Sequence, residues 1–132
     1  MNTNAYRLRR GFTLVEIMIV VAIIALLAVI AVPGFLRARK RTSATKILND
    51  LRLIDSAVDQ YALETSKVPG APVGVEDWTN FLKKGTLLYT VGVDVFGDPY
   101  GVQTVSSLPG VPPTAKNALS DVVDTTFWSP YQ

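Results

Sequence analysis

Few side chains in this sequence could carry catalysis. The chain of 132 residues contains no histidine and no cysteine, which removes most zinc sites and every Ser-His or Cys-His nucleophile. The only acids in predicted loops that could cluster are Asp94, Asp98, Asp121 and Asp124, and no nucleophile motif accompanies them. A membrane-anchored hydrolase would need paired carboxylates or an activated nucleophile. We therefore expect a protein that is not an enzyme.

One acid lies where a charge is costly. Glu16 stands at the start of an apolar run, and the 20 residues from Ile17 to Leu36 contain no charge. As an α-helix they would be about 30 Å long, which matches the hydrocarbon thickness of a bilayer. A carboxylate in hydrocarbon costs on the order of a few kcal/mol. We therefore expect Glu16 to have a partner or a function.

Two simple interpretations of this run are a signal peptide and a single-span anchor. The apolar part of a secretory signal peptide is usually about 7–15 residues long, shorter than this run. The run also lacks an A-x-A cleavage signature, because its alanines fall every third residue. A plain anchor explains the length but not Glu16, nor the short leader with Arg7, Arg9 and Arg10.

The stretch RRGFTLVEIMIVVAIIALLAVIAVPGF resembles the amino-terminal signature of type IV prepilins and the related pseudopilins. The resemblance implies that residues 1–11 are a leader and that an inner-membrane prepilin peptidase cuts between Gly11 and Phe12. It also implies that this peptidase methylates the new amine of Phe12. Residues 12–36 would form the membrane and filament-core helix, and residues 37–132 a water-exposed head.

Glu16 would then act in assembly. In a growing filament, the Phe12 amine of an incoming subunit would pair with the Glu16 carboxylate of a neighbour, so that both charges are matched among apolar helices. Only one axial offset between packed helices makes this pair, and Glu16 would therefore select the register. The alternative is that Glu16 only caps its own helix near the lipid headgroups.

Pro33 and Gly34 interrupt the helical pattern near the end of the apolar run. Proline has no N–H to donate to the Val29 carbonyl, so the helix should kink or stop there. Pro33 and Gly34 either mark an ordinary helix end at the membrane surface or form a flexible joint within one long helix. The basic residues within 37–41 would mark the interface, where anionic headgroups attract each of them by about 1 kcal/mol. DNA binding through this cluster is an alternative.

The remainder of the chain is acidic. From Thr42 onward six Lys or Arg face ten Asp or Glu, a net charge of −4. A nucleic-acid footprint spread over a folded surface needs the opposite sign, and we expect no nucleic-acid partner for the head.

The sequence of the head predicts helices and a small hairpin. Apolar residues at helical spacing predict one amphipathic helix over residues 42–66, with a stripe formed by Ala44, Ile47, Leu48, Leu51, Ile54, Val58, Tyr61 and Ala62. Residues 76–84 read as a short helix that buries Trp78, Phe81 and Leu82. Period-two alternation over residues 87–95 and again over 100–105 predicts an antiparallel hairpin. A turn of helix is expected over residues 117–124, and the aromatic tail, residues 127–131, should fold back onto the sheet.

A second resemblance concerns DVFGDPYG, residues 94–101. This segment is similar to the D-x-W/F/L-G-N/D-P-Y stretch of major pseudopilins of type II secretion systems. Those proteins carry a calcium loop near the carboxyl terminus, and the resemblance makes Asp121 and Asp124 candidate ligands. Two acids are few for an ion that takes about 6–8 oxygen ligands, so we expect no cofactor other than a possible structural calcium.

These observations together predict an α+β, type IV pilin-like fold: a long amino-terminal helix, transmembrane in its first half and amphipathic in its second, packed by a short helix and a small antiparallel sheet. The expected function is that of a filament subunit, foremost a major pseudopilin of a type II secretion pseudopilus. A pilin of a surface type IV pilus is the alternative, and a membrane-anchored binding module is a remote one.

The expected partners are copies of the same chain, the prepilin peptidase, an inner-membrane assembly platform, minor pilins or pseudopilins, and membrane lipid before assembly. The expected location is the bacterial inner membrane, with the leader in the cytoplasm and the head in the periplasm. From there the protein would enter a pseudopilus or an extracellular pilus.

Overall fold

The computed structural model describes residues 11–132. The predicted leader, apart from Gly11, lies outside these residues. The elements in chain order are α1 (Leu14–Thr65), β1 (Pro72–Val73), α2 (Val75–Thr79), α3 (Leu87–Val91), β2 (Gln103–Thr104), α4 (Pro113–Leu119) and a 3-10 helix (Thr125–Trp128). A long helix, several short helices and a two-stranded antiparallel sheet confirm the predicted α+β fold class.

The chain divides into two compact units, one ending at Leu36 and one comprising Arg37–Gln132. Helix α1 is 52 residues long and continues through Pro33. The interpretation of Pro33 as an ordinary helix end is therefore wrong. A bend at Pro33 and Gly34 stays a prediction.

The second unit is built on the amphipathic part of α1. The predicted stripe is confirmed: Ala44, Ile47, Leu51, Ile54, Val58 and Ala62 are buried, and Leu48 and Tyr61 are partly buried against them. Trp78 of α2 is fully buried, and its indole Nε1 donates a hydrogen bond to the Gly101 carbonyl at 3.2 Å. This part of α1 is helical because its apolar residues recur at helical spacing, so that they lie on one face that the rest of the head covers.

The predicted hairpin is wrong in its first strand. Residues Leu87–Val91 form helix α3, which begins after Thr86, whose hydroxyl accepts a hydrogen bond from Tyr89 N at 3.1 Å. It ends at Gly92, which adopts the left-handed conformation (φ 67°, ψ 32°). Thr86 at the N-cap and Gly92 at the C-terminus are typical helix boundaries, and these local signals outweigh the period-two pattern. Within residues 87–92, Leu88 and Gly92 are buried, four residues apart as in a helix.

The sheet instead pairs two short segments. Pro72 faces Thr104 and Val73 faces Gln103, in antiparallel register. The strand predicted over 100–105 is therefore present only at Gln103 and Thr104, and its partner comes from the loop after α1. An isolated bridge joins Val93 to Pro99.

The other short helices differ from prediction in their bounds. Helix α2 ends at Thr79 instead of residue 84. The helix predicted over residues 117–124 is α4, which lies earlier, because Pro113 suits the first helical position, where an N–H is not needed. In the aromatic tail, Trp128 and Tyr131 are buried.

Candidate functional site

Glu16 lies in the first turn of α1 and is held there by Thr13. Glu16 Oε2 accepts hydrogen bonds from Thr13 N at 2.7 Å and from Thr13 Oγ1 at 2.9 Å. In return, Glu16 N donates to Thr13 Oγ1 at 3.2 Å. This reciprocal arrangement is a capping box, which satisfies backbone donors that a helix start leaves open.

The capping box fixes the position of the carboxylate without using all of it. All of these contacts to the carboxylate go to Oε2, and among residues 11–132 Oε1 has no hydrogen-bond partner. The side chain is exposed in the single chain. Oε1 is therefore open to a donor from another molecule while Oε2 stays on Thr13.

Gly11 and Phe12 lie outside any regular element, immediately before α1. Phe12 is 85% exposed. A side-chain carbon placed on Gly11 would meet nothing within 4 Å. Packing within residues 11–132 therefore does not demand glycine at this position, and a requirement for it would have to come from an enzyme that recognises the segment.

The first half of α1 presents an unbroken apolar surface. Its large apolar residues from Leu14 to Leu36 are all at least half exposed, from 51% at Val20 to 79% at Ile30. An 18-residue window of this helix has a mean hydropathy of 3.2, and none of it is buried against the part of the chain that the structure describes. Its length and composition suffice for a membrane span. A surface of this kind must be covered by lipid or by other apolar helices.

The basic cluster, residues 37–41, lies on α1 at the start of the second unit. Arg37, Arg39 and Arg41 are exposed. Lys40 instead reaches Asp121, 81 residues away in sequence, with Nζ 2.9 Å from Oδ1 and 2.8 Å from Oδ2. Within residues 11–132 this is the one ion pair.

The two calcium candidates are both engaged with the chain itself. The hydrogen bond and charge of Lys40 hold the pKa of Asp121 below its usual value. Asp124 Oδ1 accepts from Thr126 Oγ1 at 2.7 Å and from Phe127 N at 3.0 Å, and these bonds lower the pKa of Asp124. In the part of the chain that the structure describes, no three acidic, histidine or cysteine side chains gather at a point. As placed, Asp121 and Asp124 do not by themselves provide the roughly 6–8 oxygen ligands that calcium takes.

The segment DVFGDPYG forms a tight loop around the Asp94 carboxylate. Asp94 is 1% exposed, and its Oδ1 accepts hydrogen bonds from Phe96 N at 2.8 Å and Asp98 N at 3.0 Å. Asp98 Oδ2 accepts from Thr114 Oγ1, which ties the loop to α4. Asp94 and Asp98, two of the four loop acids, are therefore bonded within the head.

Sequence reasoning missed the burial of Asp50. Asp50 is 7% exposed, and its Oδ2 accepts a hydrogen bond from the Tyr100 hydroxyl at 3.4 Å. Burial raises the pKa of Asp50, Lys46 opposes that rise, and Asp94 adds to it. Burial also raises the pKa of Tyr100. The only sequence signal was the position of Asp50 beside Leu51, within the apolar stripe.

Comparisons with known proteins find similar sequences. A family described as the prokaryotic N-terminal methylation motif matches residues 6–32. The chain is 35% identical to the type II secretion system core protein G of Klebsiella pneumoniae over 68 residues, covering 52% of this chain and 49% of that protein. Against the core protein G of Aeromonas hydrophila it is 26% identical over 103 residues, covering 71% and 72%. No solved structure matches.

The extent of the matches differs between relatives. The chain spans about half the length of the Klebsiella and Pectobacterium proteins that it matches. Against the core protein G of Pseudomonas aeruginosa the identity is 33% over 104 residues, which covers 71% of this chain and 72% of that protein. The chain therefore belongs to the type II secretion system core protein G family of major pseudopilins.

Proposed function

We propose that this chain is the major structural subunit of a type II secretion pseudopilus. The observation that carries the proposal is the first half of α1, which is wholly apolar after Glu16 and is not covered by any other part of residues 11–132. Copies of this helix side by side would cover that surface. Membership of the core protein G family supports the same function.

Processing would precede assembly. A prepilin peptidase cuts between Gly11 and Phe12 and methylates the Phe12 amine. The open space at Gly11 and the exposure of Phe12 support this, because the enzyme needs access to an unstructured segment. Cleavage also removes Arg7, Arg9 and Arg10, and it leaves one new positive charge next to the first turn of α1.

Glu16 would pair with that new amine across the subunit boundary. Thr13 holds Oε2, and Oε1 receives the Phe12 amine of the adjoining copy. Because both charges lie among apolar helices, a misregistered pair would leave each unmatched at a cost of several kcal/mol. Capping and pairing are then two uses of one carboxylate.

Before assembly the protein would lie in the inner membrane with α1 as its single span and the head in the periplasm. Arg37, Arg39 and Arg41 are exposed at the end of the apolar stretch, where anionic headgroups would attract them. An assembly platform and minor pseudopilins would then take up the subunit. The protein itself performs no catalysis. It is the substrate of the prepilin peptidase, which acts at Gly11 and Phe12.

The test combines processing with assembly. The chain is expressed in a host with a prepilin peptidase and a type II secretion assembly platform, and filaments are sheared from the cells. Mass spectrometry should find N-methylated Phe12 as the first residue of the filament protein. A first residue of Met1, or the absence of filaments despite cleavage, would overturn the proposal.

Glu16→Ala supplies the second arm. This variant should be cleaved and inserted in the membrane but be nearly absent from the sheared fraction. Glu64→Ala, which removes an exposed glutamate near the other end of α1, is the matched control and should assemble normally. Normal assembly of Glu16→Ala would refute the role given to Glu16.

A further inference from the structure

The carboxyl-terminal segment is attached to α1 by a side-chain cation of the chain itself. The Lys40 ammonium contacts both oxygens of Asp121, at 2.9 and 2.8 Å. Lys40 lies on α1, and Asp121 lies two residues after the end of α4. The contact therefore joins the start of the head to its last 12 residues.

The segment that follows is ordered by the second candidate acid. Asp124 caps the 3-10 helix Thr125–Trp128 through Phe127 N, and this places Trp128 at 3% exposure in the core. Phe127 and Trp128 stack edge to face with centroids 5.2 Å apart. Asp121 and Asp124 thus have different tasks, one fixing the segment to α1 and the other setting the fold of the tail.

A divalent cation would have to displace the Lys40 ammonium from Asp121 and would find only one oxygen of Asp124 free of hydrogen bonds within residues 11–132. Calcium takes about 6–8 oxygen ligands, usually several of them carboxylate oxygens. At Asp121 it would compete with an ammonium already at hydrogen-bond distance, and like charges repel at such separations. At Asp124 it could use only Oδ2, because Oδ1 already accepts from Thr126 Oγ1 and Phe127 N.

We propose that the Lys40 ammonium replaces the metal in this chain, so that the carboxyl-terminal segment docks on α1 through the Lys40–Asp121 pair and the Asp124 cap without calcium. The proposal rests on the function proposed above, because it concerns how this pseudopilin holds the segment in which major pseudopilins carry their calcium loop. It follows that the stability of the head depends on the charge of residue 40 and not on divalent cations.

The first experiment compares metal with no metal. The full chain is purified in detergent, and its thermal unfolding is followed by tryptophan fluorescence, since Trp78 and Trp128 are both buried. The Tm in excess EGTA and the Tm in excess calcium chloride should agree within about 1 °C. A Tm that falls by several degrees in EGTA and returns with calcium would overturn the proposal.

The second experiment tests the pair itself. Lys40→Gln and Asp121→Asn should each lower the Tm by about 1–4 °C, the range for a half-exposed ion pair in a domain of this size. The exchanged pair, Lys40→Asp with Asp121→Lys, should recover most of the loss. Arg39→Gln, which removes an exposed neighbouring charge, is the matched control and should have little effect.

Hydrogen exchange gives a local readout that does not depend on global unfolding. Amides within residues 121–132 should exchange faster in Lys40→Gln than in Arg39→Gln, while amides of the α1 stripe stay equally protected. Equal exchange in the two variants, or failure of the exchanged pair to restore protection, would refute the Lys40 contact. Because all of these measurements use unassembled protein, their failure is distinguishable from a failure to form filaments.

Discussion

Gly92 offers the sharpest test of the head structure. It ends α3 at φ 67° and ψ 32°, and its N–H donates to the Leu88 carbonyl at 3.0 Å. A side-chain carbon placed on it would lie 2.7 Å from Val75 Cγ1 and 3.3 Å from Trp78 Cη2. Gly92→Ala therefore meets two separate penalties, one from the backbone conformation and one from the lack of space.

Two other glycines separate these penalties. Gly85 also has a positive φ, 86°, but nothing lies within 4 Å of an added carbon, and Gly110 has neither a positive φ nor a close neighbour. A left-handed alanine costs about 1–2 kcal/mol, and overpacking a core contact costs about 1–3 kcal/mol. We expect a loss in unfolding free energy of about 1 kcal/mol for Gly85→Ala and about 2–4 kcal/mol for Gly92→Ala. Gly110→Ala should be neutral or stabilising by up to about 1 kcal/mol.

The assay is urea unfolding of the full chain in detergent, followed by tryptophan fluorescence. The order of the midpoints should be Gly110→Ala, then Gly85→Ala, then Gly92→Ala as the lowest. A Gly92→Ala midpoint equal to that of Gly85→Ala would mean that Val75 and Trp78 do not crowd position 92. A Gly92→Ala variant as stable as the original would mean that residues 87–95 are extended after all, as the alternation in the sequence suggested.

Two further predictions concern the face of α1. Asp50→Asn should stabilise the head at neutral pH and have little effect in acid, because burial raises the pKa of Asp50. Lys46, Asp94 and Tyr100 face this carboxyl group. The stability that its protonated form contributes is present below the pKa of the unfolded state and is lost as the pH rises through the pKa of the folded state. Urea unfolding across pH checks this, and a stabilisation that does not change with pH would contradict it. Ile47→Ala should lower the unfolding free energy by about 2–5 kcal/mol, because Ile47 is fully buried. Leu53 is half exposed, and Leu53→Ala should change the unfolding free energy by no more than about 0.5 kcal/mol. Equal losses for the two variants in calorimetry would refute the assignment of the buried face.

The parts of the fold that sequence predicts well are those whose signal is local and long. The apolar stripe of α1 repeats over about five turns, long enough for the helical period to be recognised in the sequence. The strand predicted over residues 87–95 failed because five alternating residues are a weak pattern, and Thr86 with Gly92 carries a competing helix signal. Strand β1 is two residues within a loop rich in proline and glycine, and no pattern of that length is readable.

The contacts of the site depend on pairs that are distant in sequence. Asp50 meets Tyr100 and Lys40 meets Asp121 only because the head folds back on α1. A single sequence gives no sign of either pair. The prepilin-like segment differs, because Gly11, Phe12 and Glu16 lie within six residues and their spacing is itself the signal.

In the filament proposed above, Glu16 is neutralised by the amino terminus of a neighbouring subunit. A cryo-electron microscopy structure of the assembled filament would show this pair as the distance from the Phe12 nitrogen to the nearest Glu16 carboxylate. We expect that distance to be within about 4 Å between two different subunits, the range of an ion pair. A filament in which Glu16 contacts only Thr13 of its own chain, with each Phe12 amine paired elsewhere, would contradict the account.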